Sequence, residues 1–390
     1  MLADGATKGS MMMDNVWLAS AIWIGLALAS SLISIRLALS VALIEIVVGA
    51  IGGNLIGLPL TPWVNYLAGF GAILLTFLAG AEVDMAVVRR NVGASVGIGV
   101  ASFLLPYLGC MLAARYLLGW SWPQAQIAGI ALSTTSVAVV YAVMVETGLN
   151  KTELGKIILA ACFITDLGTV LALGIVFAGF TVWLIAFAAA TALAMGLLPR
   201  FAPWFFAQVG RRVHEPDIKF LLLVLFALGG FATAVGSEAV LPAYLIGMAL
   251  APVFQRDPDL PHRMRVIAFT VLTPFYFLKA GSLVEAGVLV SGAALIGLFL
   301  AIKMATKFVG VLPLTLYYRF GNREGMYTTL LMSTGLTFGT ISALYGYSNQ
   351  IIDQSQYTIL VVAVIASAVV PTVIAQKWFL PRIVPAKQEV

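Results

Sequence analysis

One aspartate lies at the centre of the most informative hydrophobic stretch of this 390-residue chain. Asp166 stands about twelve residues from either end of an apolar segment that runs from Leu154 to Phe177. A segment of this length is typical of a membrane-spanning helix, which places the carboxyl group near the bilayer midplane. An ionised carboxylate there costs roughly 2.5–3.5 kcal/mol, so it indicates a functional site, and a buried structural aspartate is the alternative.

The composition indicates a polytopic membrane protein in which all regular structure is helical. Hydrophobic residues make up 61% and charged residues 10% of the chain, and the mean hydropathy is +1.01. These values lie far outside the range of soluble domains. The first apolar stretch is long enough to span and lacks a small-residue cleavage site, so no cleavable signal peptide is expected. Cys110 and Cys162 both fall inside hydrophobic stretches and indicate no disulfide framework.

Thirteen candidate transmembrane helices follow from length, apolarity and the positions of charged loops. They cover approximately 15–34, 38–58, 63–83, 93–118, 124–145, 154–178, 181–198, 218–236, 238–254, 264–284, 288–314, 325–346 and 356–378. These are numbered segments 1 to 13.

The distribution of basic residues predicts an N-terminus outside and a C-terminus in the cytoplasm, because cytoplasmic loops carry an excess of Lys and Arg. With that orientation, 17 of the 22 basic residues are cytoplasmic and only Lys8 and Arg115 lie outside. The other three lie within spans. The net charge of +5 then belongs to cytoplasmic loops, which would attract anionic lipid, and it gives no reason to expect nucleic acid.

Thirteen spans divide into six, a linker and six, so the two six-helix repeats would have inverted orientation. The penultimate helix of each half, segments 5 and 12, is rich in hydroxyl residues at midplane, where such residues satisfy the backbone of a broken helix. Close packing of small residues is the alternative for either stretch alone, and two stretches in matching positions favour broken helices. The residues are Ser133, Thr134, Thr135, Ser136, Ser333, Thr334, Gly335 and Thr337.

Other ionisable residues lie within the spans. Lys303 and Lys307 in segment 11 are four residues apart and share a helix face. A lysine in hydrocarbon must pair, reach the interface or lose its proton. Glu45 sits about two turns inside the cytoplasmic end of segment 2 and either lines an entry funnel or serves packing.

Five of the predicted spans carry short motifs that are informative when taken in order. Ala-Leu-Ser-Thr-Thr-Ser-Val-Ala in segment 5 is followed some thirty residues later by Thr165-Asp166-Leu-Gly. Phe-Leu-Ala-Gly-Ala-Glu82-Val-Asp84 closes segment 3, Pro-Phe-Tyr-Phe-Leu-Lys-Ala-Gly lies in segment 10, and Thr-Lys307-Phe-Val-Gly lies in segment 11. Their order is similar to the monovalent cation:proton antiporter-2 branch, which holds NapA-type sodium/proton antiporters and the membrane part of Kef-type potassium/proton systems.

This resemblance implies a secondary transporter in the inner (cell) membrane of a prokaryotic-type cell, without a cofactor and assembled as a homodimer. It implies scaffold helices in 1–92 and 218–287 and core helices in 93–178 and 288–390. A linker helix and a cytoplasmic loop would occupy 179–217.

The resemblance also implies residue roles. Asp166 matches the essential ion-binding aspartate, and Lys307 matches the charge-compensating lysine of sodium-exchanging members, although Lys303 is an alternative match. Electrogenic members carry a second aspartate immediately before the essential one and Kef-like members tend to carry glutamine, whereas this chain has Thr165. The family's charge stoichiometry therefore does not transfer.

The predicted mechanism is competition between a proton and an alkali cation at Asp166, with oxygen ligands from Thr165, Thr134, Ser133 and nearby unwound backbone. Sodium is the first candidate, potassium or lithium the next. A channel, or a sodium-coupled symporter of organic anions, is the alternative within the same plan. An enzyme is less well supported, because no His-Glu-x-x-His, Gly-x-Ser-x-Gly with a histidine partner, or clustered metal ligands occur within the spans.

Overall fold

The computed structural model describes residues 15–37, 41–81, 90, 92–149, 152–177, 182–210, 212–235, 239–257 and 259–381. Regular structure within these ranges is helical, with no strand. Lys8, used above for the orientation, and Glu82 and Asp84 of the segment 3 motif lie outside the described residues.

The helices are numbered in chain order. They are α1 (Val16–Leu37), α2 (Val41–Ile56), α3 (Pro62–Ala81), α4 (Val92–Tyr116), α5 (Trp122–Ser133), α6 (Val137–Glu146), α7 (Glu153–Phe177), α8 (Val182–Val209), α9 (Pro216–Ala234), α10 (Val240–Arg256), α11 (Asp259–Ile267), α12 (Thr273–Ser282), α13 (Ala286–Ser291), α14 (Ala293–Tyr317), α15 (Asn322–Met332), α16 (Thr337–Ser348) and α17 (Gln354–Ile374). Short π-helical turns follow α11 at Ala268–Leu272 and α17 at Ala375–Phe379.

Eight of the described helices are long and apolar enough to cross a membrane: α1, α3, α4, α7, α8, α9, α14, and α17 with its π-helical end. The predicted all-helical, polytopic class is therefore confirmed. The count of thirteen stays a prediction, since several predicted spans consist of shorter pieces. Segments 5 and 12 are each interrupted at mid-length, and segment 10 comprises α11, the π-helical turn and α12.

The chain divides into two compact units, and each is built from two separate stretches of sequence. The first comprises Met1–Glu82 and Gly179–Ala286, and the second comprises Val83–Ala178 and Gly287–Val390. The region predicted as a linker, 179–217, is part of the first unit in this division. Whether either unit moves during transport stays a prediction.

Close helix contacts and one ion-pair cluster define the first unit. A Cβ at Gly281 of α12 would overlap the Ile46 carbonyl of α2, so glycine allows these backbones to approach. Arg263 of α11 pairs with Glu215, which precedes α9, and its Nη2 lies 2.6 Å from Oδ2 of Asp217 in the first turn of α9. These ion pairs fix the start of α9 against α11.

The second unit repeats one order of elements twice. A long helix, a broken helix and a second long helix occur as α4, α5 with α6, and α7. The same order returns as α14, α15 with α16, and α17. Backbone polar groups inside a bilayer must be satisfied by the protein itself, so each break needs partners from neighbouring elements.

Candidate functional site

The two helix breaks of the second unit hydrogen-bond to each other. Residues 134–136 separate α5 from α6, and residues 333–336 separate α15 from α16. The Ser136 amide donates to the Thr334 carbonyl at 2.9 Å, and the Thr135 hydroxyl donates to the Met332 carbonyl at 2.8 Å. The predicted interruptions of segments 5 and 12 are therefore present, and the freed backbone groups of each break are partly satisfied by the other.

Most hydroxyl groups beside the breaks are committed to their own helices. Each donates its hydrogen to a carbonyl three or four residues earlier, which leaves its oxygen lone pairs available to accept. The bonds are Ser133 to Ile130 (2.9 Å), Thr134 to Ala131 (3.2 Å), Ser333 to Thr329 (2.7 Å) and Thr334 to Leu331 (2.8 Å). Thr337 opens α16 and is 9% exposed.

Lys307 reaches from α14 into the crossing of the broken helices. Its side chain is fully buried. The ammonium donates to Ser102 Oγ at 2.8 Å, to the Ser133 carbonyl at 2.9 Å and to Thr135 Oγ1 at 3.1 Å. A longer contact of 3.5 Å reaches the Thr134 carbonyl. Lys307 thus binds both carbonyl and hydroxyl oxygens at the break.

Lys303 lies one turn earlier on α14 and reaches the same break by another route. Its ammonium donates to Ser367 Oγ of α17 at 2.9 Å and to the Thr134 carbonyl at 3.3 Å. The carbonyls at the C-terminal end of α5 carry partial negative charge, which favours cations there. Both lysines therefore bind oxygens at the broken end of α5.

Asp166 lies in the same unit, on α7, and is 1% exposed. Within the described residues its side chain makes no hydrogen bond and no ion pair, and its Oδ1 is fully enclosed. A buried carboxylate without a partner is costly, so this group favours either a proton or a bound cation.

Thr165 precedes Asp166 and joins α7 to α4. Its hydroxyl donates to the Ala161 carbonyl at 3.0 Å and to the Gly99 carbonyl at 3.2 Å. The position before Asp166 therefore carries a hydroxyl that is engaged with backbone and no second acid.

Gly335 lies in the second break, beside the Lys303 side chain and Thr134 of the first break. A Cβ at this position would overlap the Lys303 ammonium, and would lie 2.8 Å from Thr134 Oγ1 and 3.2 Å from Ser367 Oγ. The absence of a side chain at Gly335 is therefore a condition for Lys303 to reach its oxygens.

Glu45 is not part of this set of residues. It lies on α2 in the first unit, is 3% exposed, and makes no hydrogen bond or ion pair with any described residue. Its assignment to an entry funnel stays a prediction.

Two side chains at the candidate site were not predicted: Ser102 and Ser367, which accept hydrogen bonds from the buried lysines. Each lies near the middle of a predicted span, in segment 4 and segment 13. Their position near the middle of a span is the only indication in the sequence that they belong to the site. It is a weak one, because a serine in a span equally indicates close helix packing.

The chemistry available at the site is that of oxygen donors around one carboxyl group. No group of three or more His, Cys, Asp or Glu residues suited to a metal ion occurs among the described residues. Carboxylate, hydroxyl and carbonyl oxygens are the ligands that hard cations prefer.

Comparison with known proteins finds similarity to sodium/proton exchangers and antiporters. A model of the transmembrane sodium/hydrogen exchanger family matches residues 23–379. A protein of Methanocaldococcus jannaschii named probable Na(+)/H(+) antiporter 3 is 28% identical over 348 residues, covering 86% of this chain and 88% of its own length. The Na(+)/H(+)-K(+) antiporter GerN of Bacillus cereus is 22% identical over 362 residues, covering 87% and 89%.

The fold also matches a solved structure. The sodium proton antiporter MjNhaP1 from Methanocaldococcus jannaschii, determined at pH 8, superimposes with a TM-score of 0.70. The match covers 94% of this chain and 96% of that one at 15% identity, so the likeness concerns the fold.

Proposed function

The chain belongs to the transmembrane sodium/hydrogen exchanger family, and we propose that a monovalent cation and a proton compete within it for Asp166. As a member of that family it is a secondary transporter rather than an enzyme, and it exchanges a cation for protons without a cofactor. The observation that carries the proposal for Asp166 is its burial without a hydrogen-bonding partner among the described residues. A carboxyl group in that setting gains most from a ligand that neutralises it.

The cycle has two loaded forms of one site. When Asp166 holds a proton, the group is neutral. When Asp166 is ionised, its charge is balanced by the cation, whose remaining ligands are oxygens of Thr165, Thr134 and Ser133 and freed backbone carbonyls. The empty, ionised site is the form that is costly to move through an apolar region, so that transport of one ligand requires return of the other.

Sodium is the first substrate we propose, and potassium the second. The M. jannaschii relative carries a sodium/proton antiporter name, and GerN is named an antiporter of sodium, potassium and protons. A cation-dependence series over sodium, potassium and lithium would rank them.

The Asp166→Asn variant tests the central assignment. Asparagine keeps the shape of the side chain and removes both the negative charge and the titrating proton, so cation-dependent proton flux in proteoliposomes should fall to background. Glu153→Gln, which changes an exposed acid in the first turn of the same helix, is the matched control and should keep wild-type flux. In wild type, the apparent KM for the cation should rise as the pH falls, because protons occupy the same group.

Retained cation-dependent proton flux in Asp166→Asn would remove Asp166 from the exchange step. A KM that does not change with pH would argue against competition at one group.

The assembly is part of the same proposal. The second unit, which contains all the described partners of Lys303, Lys307 and Thr165, is the ion-carrying core that moves, and the first unit is the scaffold on which two copies associate. The N-terminus lies outside and the C-terminus in the cytoplasm of an inner (cell) membrane, with anionic lipid against the basic cytoplasmic loops. Glu45 of the first unit lines the cytoplasmic entry.

A further inference from the structure

The hydrogen-bonding capacity of the Lys307 ammonium is fully used without Asp166. An ammonium has three N–H donors. Its three shortest contacts, at 2.8–3.1 Å, are Ser102 Oγ, the Ser133 carbonyl and Thr135 Oγ1. No donor is left over for the carboxylate, and no ion pair joins Lys307 to Asp166 within the described residues.

Ser102 supplies the shortest of these contacts and belongs to a helix outside the crossing, α4. Its hydroxyl donates to the Met332 carbonyl at 3.4 Å, and its oxygen lies 3.4 Å from Thr135 Oγ1, whose own hydrogen goes to the same carbonyl. With its hydrogen directed to the Met332 carbonyl, Ser102 has its oxygen lone pairs available to accept from Lys307. The serine is fully buried.

We propose that Ser102 is a positioning residue, which together with Thr135 holds the Lys307 ammonium on the α5 carbonyls and leaves Asp166 free for the transported cation or proton. This inference rests on the proposed function, since it assigns Asp166 as the exchanging group. Lys307 then balances the partial negative charge at the C-terminal end of α5. It does not compete with the transported cation or proton for the Asp166 carboxylate.

Among the titratable groups around Lys307, only Asp166 could replace Ser102 as a negatively charged hydrogen-bond acceptor. Lys303 on its own helix repels it, whereas Cys162 on α7 and Cys110 on α4 are buried thiols. Asp166 is the one carboxyl group among these neighbours. An ammonium that loses the Ser102 oxygen has one N–H without a close acceptor. The Thr134 carbonyl at 3.5 Å is a neutral acceptor for it, whereas Asp166 is the charged one and its Oδ1 has no hydrogen-bonding partner.

The Ser102→Ala variant separates this role from packing. With one acceptor removed, Lys307 turns to Asp166, and sodium must displace it. The apparent KM for sodium should rise roughly tenfold, the ratio that corresponds to one hydrogen bond to a charged group, while the maximal rate changes little. Ser95→Ala is the matched control, because Ser95 lies two turns earlier on the same face of α4, is equally buried, and makes no side-chain hydrogen bond with a described residue.

A double-mutant cycle with Lys307→Gln shows whether Ser102 acts through the lysine. Sodium-dependent thermal stabilisation of purified protein gives an apparent Kd for every variant, including any that do not transport. In the Lys307→Gln background, Ser102→Ala should cause no further loss of sodium affinity. An equal loss with and without Lys307 would assign Ser102 to packing and overturn the proposal.

Structure determination of the Ser102→Ala variant decides the case without any transport measurement. The expected result is a Lys307 ammonium within hydrogen-bonding distance of Asp166, and a lysine that stays out of hydrogen-bonding distance of Asp166 overturns the proposal. If Ser102→Ala does not fold, Thr135→Val removes the second hydroxyl acceptor and carries the same expectation. Absence of cation-dependent flux in wild type would instead overturn the proposed function, and this structural result would still stand.

Discussion

At the scale of single residues, Gly335 makes the sharpest prediction about the site. Gly335→Ala places a methyl group against the Lys303 ammonium, Thr134 Oγ1 and Ser367 Oγ, none of which can retreat without losing a hydrogen bond. We expect the free energy of unfolding to fall by about 1–3 kcal/mol, as overpacking does in other cores. The transport rate should fall with it, because Lys303 loses its position on α5.

Gly297→Ala is the control for this substitution. Gly297 lies on α14, as Lys303 does, and a Cβ there would meet nothing within 4 Å. Thermal unfolding in detergent should show unchanged or slightly raised stability for Gly297→Ala, since alanine favours helix. Equal melting temperatures for Gly335→Ala and wild type would show that the crossing accommodates a methyl group without overpacking.

Charge decides which residues of this site can be found from sequence. Asp166, Lys303 and Lys307 are evident because ionisable groups within an apolar span are costly and rare. Ser102 and Ser367 escape notice, because their partners lie 205 and 64 residues away in the chain and only the folded structure brings them together. The orientation of Lys307 toward hydroxyl and carbonyl oxygens rather than Asp166 is likewise a tertiary result.

At the scale of elements, the start of α9 depends on α11. Asp217 is 2% exposed in its side chain and its carboxylate is paired with Arg263, which also pairs with Glu215. Arg263→Gln leaves a buried carboxylate without its cation. Because the arginine and Glu215 remain partly exposed, we expect a loss of about 1–3 kcal/mol, below the cost of breaking a fully buried pair.

Arg256→Gln, an exposed residue in the last turn of α10, is the control and should leave the melting temperature unchanged. The comparison is made by thermal unfolding of purified protein in detergent. If both variants have the melting temperature of wild type, the Arg263 ion pairs contribute nothing to the stability of the first unit.

Helix breaks were predictable at this scale and their exact partners were not. Hydroxyl-rich stretches in segments 5 and 12 indicate where a backbone may leave the helix, and the interruptions fall at 134–136 and 333–336. The bond from the Ser136 amide to the Thr334 carbonyl depends on how two distant stretches cross, which local composition does not encode.

At the scale of the whole molecule, the prediction concerns charge moved per cycle. In the proposed cycle Asp166 exchanges one cation for one proton, Thr165 supplies no second acid, and the Lys307 ammonium is held by three acceptors. Exchange should therefore be electroneutral. An uncompensated charge would instead respond to the membrane potential by about 2.3 kcal/mol per 100 mV.

Recording on solid-supported membranes measures this directly. A sodium gradient should drive proton flux without a sustained current, and an imposed potential should leave the flux unchanged. Asp166→Asn gives the background signal. A robust current above that background would show that more than one proton moves per cation.

The separation in sequence between Lys307 and its acceptors also sets an order of events during synthesis. The Ser133 carbonyl accepts its hydrogen bond from a lysine 174 residues further along the chain. At 5–20 residues per second, the ribosome needs about 10 to 35 s to reach that lysine after making Ser133. During this interval the end of α5 has no ammonium to cap it, so the nascent chain depends on the insertion machinery or on water to shelter those carbonyls until α14 arrives.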